Sequence, residues 1–403
     1  MTHEARAIIN AGAESAGTLY GTQRAQVMSQ AGFDTALAEI SSWPGYAPTP
    51  LLALSGLARQ LGIGSCFTRT NAAVSAWAVS RPWAVPMRWP MSCVIASRAR
   101  ALTHVSSRNL LSGAFTEVIG AASVTCVTDG NHGRSVAWGA RLFGCRCVIF
   151  VHEHVSQGRR DAIAQYGAEV REVKGNYDDA VRHAAATAAA EGWTVVSDTS
   201  YPGYRDIPLD VMYGYGVMAA EVAQQLADAE PPTHVLAQAG VGALAAAICA
   251  NFWLHWGQRR PQFAVVEPTR ADCVYRSLET GYPVVVGGAL DIVMAGLACG
   301  EVSELAWEIL RGGTCAAVAL DDAYALDAMR RLARPVAGDP PVVAGETGGI
   351  GLAALLAARD HPAIWRPLGL DAQSRVLLLG SEGDTDPVIY REIVGRAAAD
   401  VLA

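Results

Sequence analysis

From about Ala121 onward, short β-rich runs alternate with helical patterns, and that alternation limits the chain to a narrow set of folds. ASVTCVT leads through Asp129-Gly130-Asn131-His132-Gly133 into the helical stretch RSVAWGARLFG, which Gly144 ends. CRCVIFVH then precedes SQGRRDAIAQYG, and AEVREV precedes YDDAVRHAAATAAAEG. TVVSDT, THVLAQAG, QFAVVEP and RVLLLGSEG follow as further strands, with alanine-rich helical segments between them. A strand that leads into a helix and then another strand builds a parallel sheet covered by helices on both faces. The expected class is α/β. Ligands of such sheets sit at the carboxyl ends of the strands, so the residues directly after them carry the information. Four strand ends stand out: 128–133, 197–199, 238–243 and 380–385.

Length and charge exclude several classes. A chain of 403 residues has room for two or three domains with ample core. The net charge of −7 argues against a nucleic-acid binder, whose phosphate contacts need a basic face. The first residues carry Glu4 and Arg6 and no long apolar run, so no signal peptide is expected. The richest apolar window, Ala237 to Trp253, is broken by Gln238 and Asn251, so no membrane span is expected either. The nine cysteines are scattered without a C-x-x-C pair and read as buried free thiols in a cytoplasmic protein.

Chemistry can be assigned to the strand ends one by one. Gly240-Val241-Gly242-Ala243-Leu244 follows a buried strand and opens a helix, so successive backbone N–H groups can point at one anion. The same residues also suit a tight turn with glycine for packing, and both readings stay open on spacing alone. No Walker lysine follows, which disfavours a nucleotide triphosphatase. Asp129, Asn131 and His132 could exchange protons or hold a cofactor oxygen, or could simply cap the helix. His152 and His154 share one face without a third ligand nearby, so no metal site is expected.

These residues support a resemblance. The chain resembles the pyridoxal-phosphate enzymes of the tryptophan-synthase-β type, and within them the diaminopropionate ammonia-lyases. The matching segments are WPGYAPTPLLAL (43–54), VTDGNHGRSVAWGARLFGC (127–145), SDTSYPGYRDIPLDVMYGYGVMAAE (197–221), QAGVGALAAAI (238–248), MAGLACGEVSELAWEIL (294–310) and GSEGDTDP (380–387). They run in the family's order and cover the chain except for about residues 66–105. By that resemblance, Asn131 contacts the ring hydroxyl of pyridoxal 5′-phosphate, and Gly240, Val241, Gly242, Ala243 and Leu244 cradle its phosphate. Ser381 meets the pyridine nitrogen. Asp129 and Asp198 handle a small diamino substrate and its protons, as a carboxylate beside an ammonium can. The resemblance further implies a homodimer, and two domains of tryptophan-synthase-β-like form with the cofactor between them. The large domain is expected at 1–114 and 216–403, the small one at 115–215.

One family feature is missing. These enzymes hold the cofactor through a lysine that also moves the α-proton. It lies in a motif resembling K-D-E-x-x-R-x-G-L-G-S-F-K-A-L-G-G-A-Y-A, upstream of the asparagine turn. Of the 31 basic residues here only Lys174 is lysine, and its place in EVKGNYDD reads as a solvated surface position. Between Glu39 and Glu117 there is no Asp or Glu, where the chain's average predicts about seven. That tract holds Trp77, Trp83 and Trp89 among Pro82, Pro86 and Pro90. Read one base out of phase, Trp77-Ala78 and Trp83-Ala84 must each give glycine, and Trp89-Pro90 must give alanine. Thr68 to Asn71 can give K-D-E, and Ala76 to Ala84 can give L-G-S-F-K-A-L-G, the lysine spanning Ser80 and Arg81. The expectation is a frame-shifted stretch from about Cys66 to between Ser92 and Val105, packing poorly and leaving activity impaired. The implied reaction is α,β-elimination of 2,3-diaminopropionate to pyruvate and ammonia. The alternatives are another β-eliminating enzyme such as a threonine dehydratase, or a non-catalytic relative that binds the cofactor or an amino acid.

Overall fold

The computed structural model describes residues 3–43, 45–70, 107–128, 130–175 and 177–403. Among them the chain divides into two compact units. The first takes its residues from Met1–Gln30, Pro48–Val79 and Met218–Ala403, the second from Ala31–Ala47 and Ser80–Val217.

The first unit is built on a seven-stranded sheet. Its strands are β1 (Ala5–Ile9), β2 (Leu51–Ala53), β3 (Ser65–Arg69), β8 (His234–Gln238), β9 (Gln262–Pro268), β10 (Thr314–Leu320) and β11 (Arg375–Leu379). Their order is β1-β10-β9-β8-β11-β3-β2. The five inner strands are parallel, as the alternation requires. β1 and β2 run antiparallel on the two edges, so the sheet is mixed rather than wholly parallel. Both come from the segment before the alternation begins, and an antiparallel edge strand on a parallel sheet is a common arrangement. The apolar window around Ala237 to Trp253 resolves into the end of β8 and the helix Ala243–Trp256, buried through most of its length. Its five alanines leave room for neighbouring elements to pack closely. Among the described residues no helix is long and apolar enough to cross a membrane.

The second unit carries a four-stranded parallel sheet, in the order β6-β5-β4-β7. Its strands are β4 (Ser123–Val127), β5 (Arg146–His152), β6 (Glu169–Val173) and β7 (Thr194–Val195). The helix Asn131–Phe143 packs Val136, Ala137 and Ala140 into an apolar cluster with Val124, Cys126, Cys147 and Ile149. Elsewhere in this unit, Phe33 meets Tyr213 edge-on, with ring centroids 5.2 Å apart.

The suspected frame-shifted stretch enters the description only at its start; residues 71–106 lie outside the described residues. Poor packing does not hold for the start. Cys66 through Arg69 pair with Val376 through Leu379, and Cys66, Thr68, Arg69 and Thr70 are buried. Strand pairing runs through the backbone and tolerates many side chains, which explains the difference. Arg69 also finds a partner: its guanidinium donates to Glu221 at 3.0 Å and to the Thr49 hydroxyl at 2.7 Å. Removing one member of a buried ion pair strands the other charge. Glu221→Ala should therefore cost about 3–5 kcal/mol of stability, read from urea unfolding.

Candidate active site

In the first unit the strand ends of β8, β9 and β11 are joined by a chain of polar contacts. After β8 the loop turns at Gly242, whose φ of +88° puts it in the left-handed region that glycine adopts freely. The Val241 carbonyl accepts from the Ser303 N–H at 2.8 Å, and the Gly240 carbonyl accepts from the Cys273 thiol at 3.4 Å. The loop is thus pinned on two sides, and Ala243 and Leu244 begin the helix with its N-terminal N–H groups at the strand end. Gln238, the last residue of β8, donates through Nε2 to the Leu379 carbonyl at 3.0 Å. That bond ties the loop to the end of β11, where Ser381 is buried. Glu382 accepts from the Thr347 N–H at 2.8 Å. Two buried polar atoms here, Gln238 Oε1 and Thr347 Oγ1, have no hydrogen-bond partner among the described residues.

Beneath this loop Glu267 closes β9, fully buried, and accepts from the N–H groups of Val274 at 3.0 Å and Tyr275 at 2.5 Å. Burial holds its carboxyl well above the usual carboxylate range, against the pull of those two donors. The folded chain therefore holds this proton more tightly than the unfolded chain does. The stabilisation is complete below the unfolded value of about 4.3 and is lost as pH rises through the folded one. Glu267→Gln, which carries no titrating proton, should lack that slope. Its stability relative to the parent should improve between pH 5 and pH 8 in urea unfolding.

In the second unit the turn after β4 is organised by Thr128, whose hydroxyl accepts from the N–H groups of Gly130 at 3.0 Å and Gly133 at 3.1 Å. A Cβ on Gly133 would lie 2.2 Å from Thr128 Cγ2, so only glycine permits this approach. Asn131 opens the helix and is half-buried. His132 Nε2 lies 2.7 Å from the Val196 carbonyl, which can only accept, so this nitrogen carries the proton. Asp129 lies outside the described residues. Asp198 follows β7, half-buried, and accepts from the Tyr215 hydroxyl at 3.4 Å. The Tyr204 hydroxyl donates to the Val195 carbonyl and accepts from the Ser197 N–H, fixing the backbone that leads to Asp198. Thr128→Val should leave two buried N–H groups unpaired and cost about 1–3 kcal/mol in thermal or urea unfolding.

The sequence reading named Gln238 within a strand end but gave it no role, and it missed Thr347 and Glu267. A carboxylate closing the apolar strand QFAVVEP was the available signal for Glu267. His154 donates its backbone N–H to His152 Nδ1, and no group of three metal-ligating side chains occurs among the described residues. Eight cysteines form no disulfide among the described residues, two of them, Cys299 and Cys315, only partly buried. Burial pushes the Cys66 and Cys249 thiols up to about 12.

Residues 97–366 match the family model described as pyridoxal-phosphate dependent enzyme. The diaminopropionate ammonia-lyase of Escherichia coli K12 is 37% identical over 354 residues, 87% of this chain and 88% of that protein. The holo form of the E. coli enzyme superposes with a TM-score of 0.88 at 34% identity, covering 98% of this chain and 97% of that one. The same enzyme with an aminoacrylate–pyridoxal-phosphate azomethine intermediate gives a TM-score of 0.86 at 33% identity, with the same coverage.

The chain belongs to the diaminopropionate ammonia-lyase family.

The cofactor of this family is pyridoxal 5′-phosphate, and the structure fits one part of it. A Cβ on Gly240 would lie 3.1 Å from Cys299 Sγ, and one on Gly242 would lie 3.0 Å from Leu310 Cδ1. Packing therefore keeps glycine at both positions, and the loop leads into a helix N-terminus, the kind of place that binds a phosphate. The covalent attachment does not fit. The first unit contains no lysine, and Lys174 is exposed beyond β6, the edge strand of the second unit's sheet.

Proposed function

We propose that this chain descends from, and retains the site of, an enzyme that eliminates the β-amino group of 2,3-diaminopropionate to give pyruvate and ammonia, and that its own activity is impaired. The observation that carries the reading is the glycine-pinned Gly240–Leu244 loop at a helix N-terminus, on an otherwise family-like chain without the lysine. In this reading the N–H groups of Gly240, Val241, Gly242, Ala243 and Leu244 hold the cofactor phosphate. Ser381 meets the pyridine nitrogen and Asn131 the ring hydroxyl. When bound, pyridoxal phosphate supplies an electron sink for the α-carbanion. Asp129 and Asp198 bind the β-ammonium of the substrate and exchange protons with it. Tyr215 orients the Asp198 carboxylate through its hydroxyl. A homodimer in the cytoplasm completes the proposal.

The experiment is a comparison of substrates in a chain whose lysine motif has been restored. Ammonia should leave 2,3-diaminopropionate faster than threonine, and Asp198→Asn should remove that preference. Threonine as the better substrate of the restored chain would overturn the assignment in favour of a dehydratase. One observation supports a second reading, a non-catalytic binder of the cofactor: the only lysine of the sequence is exposed just beyond an edge strand.

A further inference from the structure

The chain has the glycine loop and not the motif lysine, and that absence sets which ligands the site can tell apart. A lysine that forms a carbon–nitrogen double bond with the cofactor adds affinity only for a ligand carrying an aldehyde. The contacts that the Gly240–Leu244 loop makes with a phosphate are blind to that group. The loop Gly240–Leu244 offers backbone N–H groups to a phosphate, held in place by Ser303 on Val241 and by Cys273 on Gly240. The buried Gln238 Oε1, without a hydrogen-bond partner among the described residues, adds an acceptor and not a nucleophile. The cysteines at the loop are no substitute. Burial pushes the Cys273 thiol far up, so it stays protonated and un-nucleophilic at neutral pH.

We propose that the site binds phosphorylated pyridines as a class, taking pyridoxamine 5′-phosphate, which has an amine in place of the aldehyde, as readily as pyridoxal 5′-phosphate. The inference rests on the reading of Gly240–Leu244 as a phosphate cradle. Binding is reversible, and no bond forms between protein and ligand. A family member that kept its lysine would favour the aldehyde form strongly, since only that form gains the extra bond.

The full-length chain and its Lys174→Arg variant, each titrated calorimetrically with both ligands, provide the test. Affinities for the two should agree within about threefold, a difference well under 1.4 kcal/mol. Inorganic phosphate should compete with both, and the Lys174→Arg variant should match the parent. Borohydride treatment of the variant saturated with pyridoxal phosphate should leave no adduct on any peptide but the N-terminal one, whose α-amine can react with any aldehyde. Preference for the aldehyde form by about a hundredfold or more, or a reduced adduct in the variant away from its N-terminal amine, would overturn the inference while leaving the cradle intact. Binding of neither ligand would overturn the cradle itself and the inference with it.

Discussion

Replacing residues 68–88 by the family's lysine motif raises pyruvate release from 2,3-diaminopropionate by at least about 10³-fold over the chain as it stands, the range a positioned acid–base group supplies. The expectation follows from what is present and what is not. The chain keeps the glycine loop after β8, the buried Ser381 and the half-buried Asp198 with its tyrosine partner. It lacks an amine to attack the cofactor and to move the α-proton. Arg81 alone changed to lysine should recover far less, because the glycines around the motif lysine are also missing. The boundary of the replacement matters as well. Glu221 is buried and paired with Arg69, so a restored chain needs a cation at that strand position. The K of K-D-E, encoded across Thr68 and Arg69, supplies one. Coupling pyruvate to a reductase assay reads the gain directly. A restored, folded chain with no gain would show that another part of the machinery has been lost too.

Some of this was legible in the residues before any coordinates. The parallel strands β4, β5, β6, β7, β8, β9 and β11 either announce themselves as apolar runs or follow from the alternation, since a crossover needs a helix and a helix needs a turn, whereas β10 was passed over. The loop was visible because a close backbone approach demands small residues, and three of the four in Gly240-Val241-Gly242-Ala243 are glycine or alanine. β1 and β2 were not visible: they have five and three residues, no marked period, and only an antiparallel partner to define them. Glu267 was hidden for a different reason. A glutamate beside a proline reads as a solvated strand end, and only the packing of the helix Cys273–Thr280 turns it into a buried cap. Arg69 was misjudged because a disrupted reading frame was taken to disrupt packing. Backbone pairing with β11 and a waiting carboxylate at Glu221 need only an extended residue and a positive charge. Asp129, which the resemblance makes the most specific residue of the substrate, lies outside the described residues.

The loop itself offers the second large effect. Gly242→Val should weaken binding of pyridoxal 5′-phosphate by at least about a hundredfold while the chain stays folded. Two separate costs act on this residue. At φ +88° a branched side chain is strained, and the left-handed conformation alone costs about 1–2 kcal/mol. The new Cβ also meets Leu310 Cδ1 at 3.0 Å and Ala306 Cβ at 3.2 Å, both on the helix Glu304–Gly313. That helix cannot simply retreat, because Ser303 at its start holds the Val241 carbonyl at 2.8 Å. The loop must therefore swing instead, and its N–H groups lose their common aim at the phosphate. Gly242→Ala, with one methyl group and the same strain, should fall between parent and valine. Circular dichroism and urea unfolding separate a lost site from a lost fold, since the strain is small beside the stability of a domain this size. A valine variant that bound the cofactor within about threefold of the parent would mean that the phosphate is held somewhere other than this loop.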